Sequence, residues 1–247
     1  MRITDRVYLV GSGSSGFSLT FHSDSHVYLI DGGKGLALVD AGTGPGMSEI
    51  LENVRSHGFT PGDIGHLFLT HLHADHAGGS AGFHALLPNM QVLVSRDVAH
   101  VLAKGDEKAI CLDLGKKAGY YEPDYRFEPC PVDMELVDGQ VTRVGELAVR
   151  AIHTPGHCAG HMCFAMEEGG KTILFSGDNL FFGGKILLQP LPDCDLQAHL
   201  RSIEKLAGLG VDVFLPGHGS VSLKEGQRHI DEAMGWMQRG LVPPSLL

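Results

Sequence analysis

Apolar residues recur along the 247-residue chain in short runs, and glycines or polar clusters close almost every run. The segment "VYLIDGGKGLALVDAG" (27–42) holds two runs of strand-forming residues around Gly32 and Gly33, the pattern of a β-hairpin. In "PGMSEILENVRSHG", Met47, Ile50, Leu51 and Val54 fall at helical spacing and Gly58 closes the pattern, so a helix is expected to pack on the preceding sheet. Further short strands are expected over 67–69, 92–94, 147–152, 173–175 and 213–215, each ending in a polar or glycine-containing turn. Helical spacing returns at Leu196, Leu200, Ile203 and Leu206, and Ser222 with Glu225 has the spacing of a capping box opening a last helix. The alternation predicts sheets covered by helices in a single domain over 1–247.

Two departures change this picture. A weak internal echo pairs "GGKGLALVDAG" (32–42) with "GGKTILFSGD" (169–178), and "LFLTH" (67–71) with "VFLPGH" (213–218), which points to two halves of one design. The stretch 104–131 breaks the rhythm with charges, Tyr120, Tyr121, Tyr125 and Phe127, and is expected to be an insertion that covers the site.

Composition narrows the chemistry. Lys and Arg number 19 against 29 Asp and Glu, a formal charge of −10 that opposes attraction to nucleic acid or anionic membranes. A small-molecule substrate is expected, with no nucleic-acid or membrane partner; a homodimer is left open. Five cysteines without a CxxC pair do not form a disulfide framework, and the start "MRITDRVYLVG" shows no leader pattern, so a cytoplasmic location is expected.

The stretch "FLTHLHADHAGG" (68–79) carries the most chemistry. Burying so many imidazoles costs free energy unless each finds a partner, and a cation satisfies several at once. With an extended backbone, His71 and His73 point the same way at a strand end. Asp75 and His76 follow the turn and reach a second point. Three more fragments place His or Asp where a strand gives way to a glycine-containing turn: "HTPGHCAGH" (153–161), "FSGDNLF" (175–181) and "FLPGHGS" (214–220). His153 and His161 flank His157 and are expected to orient the loop rather than bind metal. Cys158 reads as a small loop residue, and Asp40 as a capping carboxylate.

The run from His71 to His76, with His157 in "TPGH", Asp178 in "SGD" and His218 in "PGHG", closely resembles the metallo-β-lactamase superfamily and its glyoxalase II-like hydrolase branch. The resemblance implies a four-layer αβ/βα sandwich, an α/β fold with two mixed sheets face to face and metals at one edge. Carried over residue by residue, His71, His73 and His157 would bind one divalent metal; Asp75, His76 and His218 a second; Asp178 would bridge them, and Asp40 would stand behind the cluster. Zn is the expected pair of ions, with Fe or Mn compatible because imidazole and carboxylate discriminate weakly. The activity implied is hydrolysis of a small ester, thioester or lactone by a metal-bridging hydroxide, with Asp75 as the catalytic group that holds it and shuttles its proton.

Departures from relatives refine this expectation. Asp178 argues against lactam hydrolysis, since β-lactamases of the superfamily generally lack a bridging carboxylate. Phe181 stands where quorum-signal lactonases place tyrosine, and the tail after His218 holds only Lys224, Arg228 and Arg239 as basic groups for a glutathione moiety. The alternatives are a mononuclear iron persulfide dioxygenase and a phosphodiesterase. Phe181, Phe182, Tyr120 and Tyr121 are the expected substrate-binding residues, alongside the glycine-rich loop "GSGSSGFSLTF" (11–21).

Overall fold

Residues 1–246 are described by the structure, a computed structural model. The first half runs β1 (Val7–Gly11), β2 (Val27–Asp31), β3 (Leu36–Val39), α1 (Met47–Ser56), β4 (Ile64–Phe68), α2 (Ala74–Ala77), α3 (Ser80–Leu86), β5 (Gln91–Ser95), α4 (Ala99–Lys104), α5 (Leu112–Lys117) and β6 (Met134–Leu136). The second half runs β7 (Val141–Val144), β8 (Leu147–His153), β9 (Met162–Glu168), β10 (Lys171–Gly177), α6 (Leu196–Leu206), β11 (Val211–Pro216) and α7 (Gln227–Gln238).

Strands β1 to β6 form one sheet in sequence order; β1, β2 and β3 are antiparallel, and β4, β5 and β6 continue parallel to β3. The second sheet has the order β11-β10-β9-β8-β7, antiparallel except for the β10–β11 pair. The hairpin expected over 27–42 is β2–β3, with Tyr28 opposite Val39. The internal echo maps onto equivalent places: β3 and β10 each close an antiparallel pair, and β4 and β11 each lie parallel beside them.

Burial explains the layering, because each sheet has two apolar faces and both must be covered. Between the sheets, Tyr28 and Phe68 meet Phe175 and Phe164, with ring centroids 5.4 and 5.2 Å apart. On the outer face of the first sheet, Ile50, Leu51 and Val54 of α1 and Phe83 of α3 cover Leu29, Leu38 and Leu67. On the outer face of the second, Ile203 and Leu206 of α6 and Ile230 of α7 cover Cys163, Leu174 and Phe214. The result is the four-layer αβ/βα sandwich.

Helix α6 starts where Asp195 accepts the Ala198 N–H at 3.0 Å, a side-chain cap. The last helix departs from expectation: α7 begins at Gln227, not at Ser222. Ser222 exchanges both backbone hydrogen bonds with Phe214 at 2.9 Å, so it is extended and cannot cap a helix. The 104–131 stretch lies in the crossover from β5 to β6 and contains α5. No helix among the described residues is long and apolar enough to cross a membrane.

Candidate metal centre

The strand ends of both sheets open at one edge, and the chain hands over its polar groups there. His71, His73, Asp75 and His76 follow β4, His157 follows β8, Asp178 follows β10, and His218 follows β11. Backbone bonds clamp the two sheets at this edge: Met162 N–H donates to the Thr70 carbonyl and His26 N–H to the Gly217 carbonyl, each at 2.7 Å. The Tyr28 hydroxyl donates to the Pro216 carbonyl, also at 2.7 Å. Gly217 lets the backbone pass, since a Cβ there would collide with the Asp178 carboxylate and the His76 ring.

Two close approaches of ring nitrogens define the centre. His73 Nδ1 lies 3.1 Å from His157 Nε2, and His76 Nε2 lies 3.2 Å from His218 Nε2. Asp178 stands between them, with Oδ1 3.3 Å from His76 Nε2 and Oδ2 3.5 Å from His218 Nε2 and 3.7 Å from His157 Nε2. Asp75 Oδ2 is 3.0 Å from His218 Nε2. The structure thus brings His71, His73 and His157 into one group, with the Cys158 sulfur as a neighbour, and Asp75, His76 and His218 into another.

The far side of each ring fixes which nitrogen faces inward. Asp40, buried, accepts from His76 Nδ1 at 2.8 Å and from the Thr70 hydroxyl, which in turn lies 3.0 Å from His71 Nδ1. One carboxylate therefore orients a ring in each group, directly for His76 and through Thr70 for His71. Asp40 adopts φ 64°, a left-handed conformation that aspartate tolerates better than most residues. His161 supports Asp178: its Nε2 accepts the Asp178 N–H at 3.1 Å while Nδ1 meets the Thr154 hydroxyl at 3.0 Å. His153 lies at the strand end, 3.1 Å from Asp97.

Electrostatics splits the imidazoles. Burial holds His71 well below the ordinary value and His157 down to about 3, with the neighbouring histidines adding to both. Burial also opposes charge on His76 and His218, but Asp178 and Asp75 outweigh it and raise both. Burial disfavours the charged forms of Asp75 and Asp178 as well, yet His76 and His218 hold both carboxyls well below the usual range. His71 Nε2 is buried with no hydrogen-bond partner among the described residues. Ring nitrogens converging to 3.1 and 3.2 Å, an unpartnered inward nitrogen and ionised carboxylates form a donor set that fits divalent cations.

The four expected substrate-binding residues separate. Tyr121 donates to Asp75 Oδ1 at 3.0 Å. Tyr120 is exposed, and its carbonyl accepts from the Ser23 hydroxyl. Phe181 is buried, its ring 6.5 Å from that of His218. Phe182 packs on His229 beneath Arg228. The 11–21 loop reaches the centre through Ser15, whose carbonyl accepts the Gly219 N–H at 2.8 Å. Sequence analysis missed Asp193, whose Oδ2 lies 3.1 Å from His73 Nε2 and whose Oδ1 accepts from the Cys111 thiol at 3.3 Å.

The family profile of the metallo-beta-lactamase superfamily matches residues 22–218. A lactamase-like protein aptB of Emericella nidulans is 30% identical over 89% of this chain and 58% of its own length. An atrochrysone carboxyl ACP thioesterase of Aspergillus fumigatus is 28% identical over 87% of this chain and 56% of its own. The chain therefore spans a little over half the length of these curated relatives. Among solved structures, a Cronobacter sakazakii metallo-beta-lactamase with an HARLDQ motif superposes with a TM-score of 0.70 at 26% identity, covering 97% of this chain and 86% of that one. By its profile match, its sandwich and its sheet-edge donors, the chain belongs to the metallo-β-lactamase superfamily.

Proposed function

We propose that this protein is a metal-dependent hydrolase of a small thioester, ester or lactone. The observation that carries the proposal is the pair of ring-nitrogen approaches at 3.1 and 3.2 Å on either side of Asp178. His71, His73 and His157 would hold one divalent cation, Asp75, His76 and His218 a second, and Asp178 both, with Zn the expected metal. Such ions lower the pKa of water toward 7 and polarise a carbonyl. The relative named a thioesterase supports the acyl class and puts thioesters first among the candidates.

The residues around the cations divide the remaining work. Tyr121 donates to Asp75 Oδ1 and so aims Oδ2 at the centre, where it takes the proton of the attacking water. Attack at the carbonyl carbon and cleavage of its bond to sulfur or oxygen releases an acid and a thiol or alcohol, and the leaving group collects the proton. Asp40 and Asp193 hold the rings in orientation behind the reacting atoms.

Elemental analysis of the purified protein, with thioester and lactone hydrolysis on the same sample, tests the proposal. About two metal equivalents together with hydrolysis support it. About one equivalent of iron, no hydrolysis, and oxygen uptake with a persulfide would replace it with the dioxygenase.

A further inference from the structure

On the His73 side of the centre lies a cavity of about 160 Å³. Its floor is apolar and buried, formed by Leu72, Val98, Val101 and Ile110. Its inner wall is His73 with Cys158, whose sulfur lies within 4.8 Å of donor nitrogens of His71, His73 and His157. The carboxylates of Asp97 and Asp193 stand at its polar side, and Ala109 and Ala159 are exposed at its rim. Apart from His73 and its partner Asp193, none of these groups has a part in holding the metals or moving the proton, so the cavity adjoins the donor cluster without belonging to it.

We propose that this cavity is a specificity pocket that takes an uncharged, phenyl-sized group of the substrate. The inference rests on the hydrolase function proposed above and narrows its substrate class. Size sets the first limit: a cavity of about 150 Å³ lined by aliphatic side chains accepts a benzene ring. Lining sets the second, because four buried aliphatic side chains gain from covering an apolar group and offer it no hydrogen bonds. Charge sets the third: among the described residues the lining holds Asp97 and Asp193, paired with His153 and His73, and His100 but no Lys or Arg, so nothing in it holds a fixed cation for an acyl or thiol group that ends in a carboxylate. The substrates that fit are thioesters or esters bearing a phenyl or short branched alkyl group beside the scissile carbonyl or on the leaving atom.

Two variants change the pocket in opposite directions. Ala109→Trp closes the exposed rim, and Ile110→Ala deepens the floor. Both are compared with the unaltered protein by kcat/KM on acetyl, isobutyryl, phenylacetyl, naphthylacetyl and succinyl thioesters of one thiol, and on acetyl thioesters of methyl and benzyl thiols. Circular dichroism and metal content check the fold. In Ala109→Trp the preference for the phenyl-bearing over the methyl-bearing substrate is expected to fall by about fivefold or more in at least one series. In Ile110→Ala the preference is expected to move toward the naphthyl group, with the succinyl thioester the poorest in all three proteins. Preferences within about twofold of the unaltered protein in both variants would overturn the pocket while leaving the hydrolase intact. Fluorobenzene, followed by ¹⁹F NMR, provides a readout independent of turnover. Saturable broadening that is lost in Ala109→Trp supports the pocket even if no ester or thioester is cleaved, an outcome that sinks the hydrolase instead. Absence of broadening with the unaltered protein, together with unchanged preferences, leaves nothing for the pocket to explain.

Discussion

His73 and Asp193 are 120 positions apart in the chain and 3.1 Å apart in space, imidazole Nε2 against carboxylate Oδ2. A proton on Nε2, donated in a hydrogen bond to Asp193, leaves Nδ1 with its lone pair toward His157. Asp193 is itself held by the Cys111 thiol, so the β5–β6 crossover and the loop after β10 both bear on one ring.

Asp193→Ala is expected to weaken metal binding by about tenfold to a hundredfold, the usual cost of losing the partner behind a metal-binding histidine. Competition with a chromophoric chelator measures it. Asp193→Asn keeps an oxygen that accepts the Nε2 proton and is expected to recover much of the affinity. Equal losses in the two variants would show that charge matters here and orientation does not.

Asp40 serves rings in both groups, so its removal should disturb both. Asp40→Ala leaves His76 Nδ1 and the Thr70 N–H unpaired in the interior and is expected to cost about 1–3 kcal/mol in the metal-free protein. Urea unfolding gives the figure. Asp40→Asn tolerates the same left-handed backbone and retains an acceptor, so it should fall between alanine and the parent.

Tyr121→Phe removes one hydrogen bond to an ionised carboxylate without touching a donor atom. Metal content is expected to stay the same while kcat falls by about tenfold to a hundredfold, the scale of hydrogen bonds to charged groups. A variant that lost metal instead would assign Tyr121 a structural role.

The metal-free protein is expected to lose stability as pH falls below about 6.5, the ordinary imidazole value. Burial holds His26 and His157 down to about 3, so in that window the unfolded chain binds protons that the folded chain refuses. Falling pH therefore favours unfolding, by about 1.4 kcal/mol per pH unit for each such imidazole. His76 and His218 carry the opposite sign: their pKa values are raised, so their contribution is present below about 6.5 and fades as pH rises through the folded values. Thermal melting of chelator-treated protein across this range checks the acid limb. A melting temperature that stayed flat between about pH 6.5 and 4 would contradict it.

The short strands, most helices and the His and Asp fragments at strand ends were legible as local patterns, whereas the sandwich and the grouping of the donors came from the family resemblance. The spacing from His71 to His76 is short, and apolar runs ending in glycine mark strand ends whichever sheet they join. Asp193 was not legible: it lies in an irregular loop without periodicity, and only the folded chain brings it to His73. Asp40 was ambiguous because its role depends on Thr70 and His76, neither adjacent to it in sequence. The Ser222 capping signal misled because pairing with Phe214 claims that backbone first, a tertiary preference overriding a local one.

The aromatic layer between the sheets has a mechanical consequence. Donors of the first group come from β4 on one side and β8 on the other, and Phe68 against Phe164 sets the gap between those sides. The interior works as a calliper: the thickness of its aromatic layer sets how far apart the two sheets hold the donor atoms. Thinning that layer by one ring is expected to draw the two sides together and change the spacing of the donor atoms while leaving each donor chemically intact.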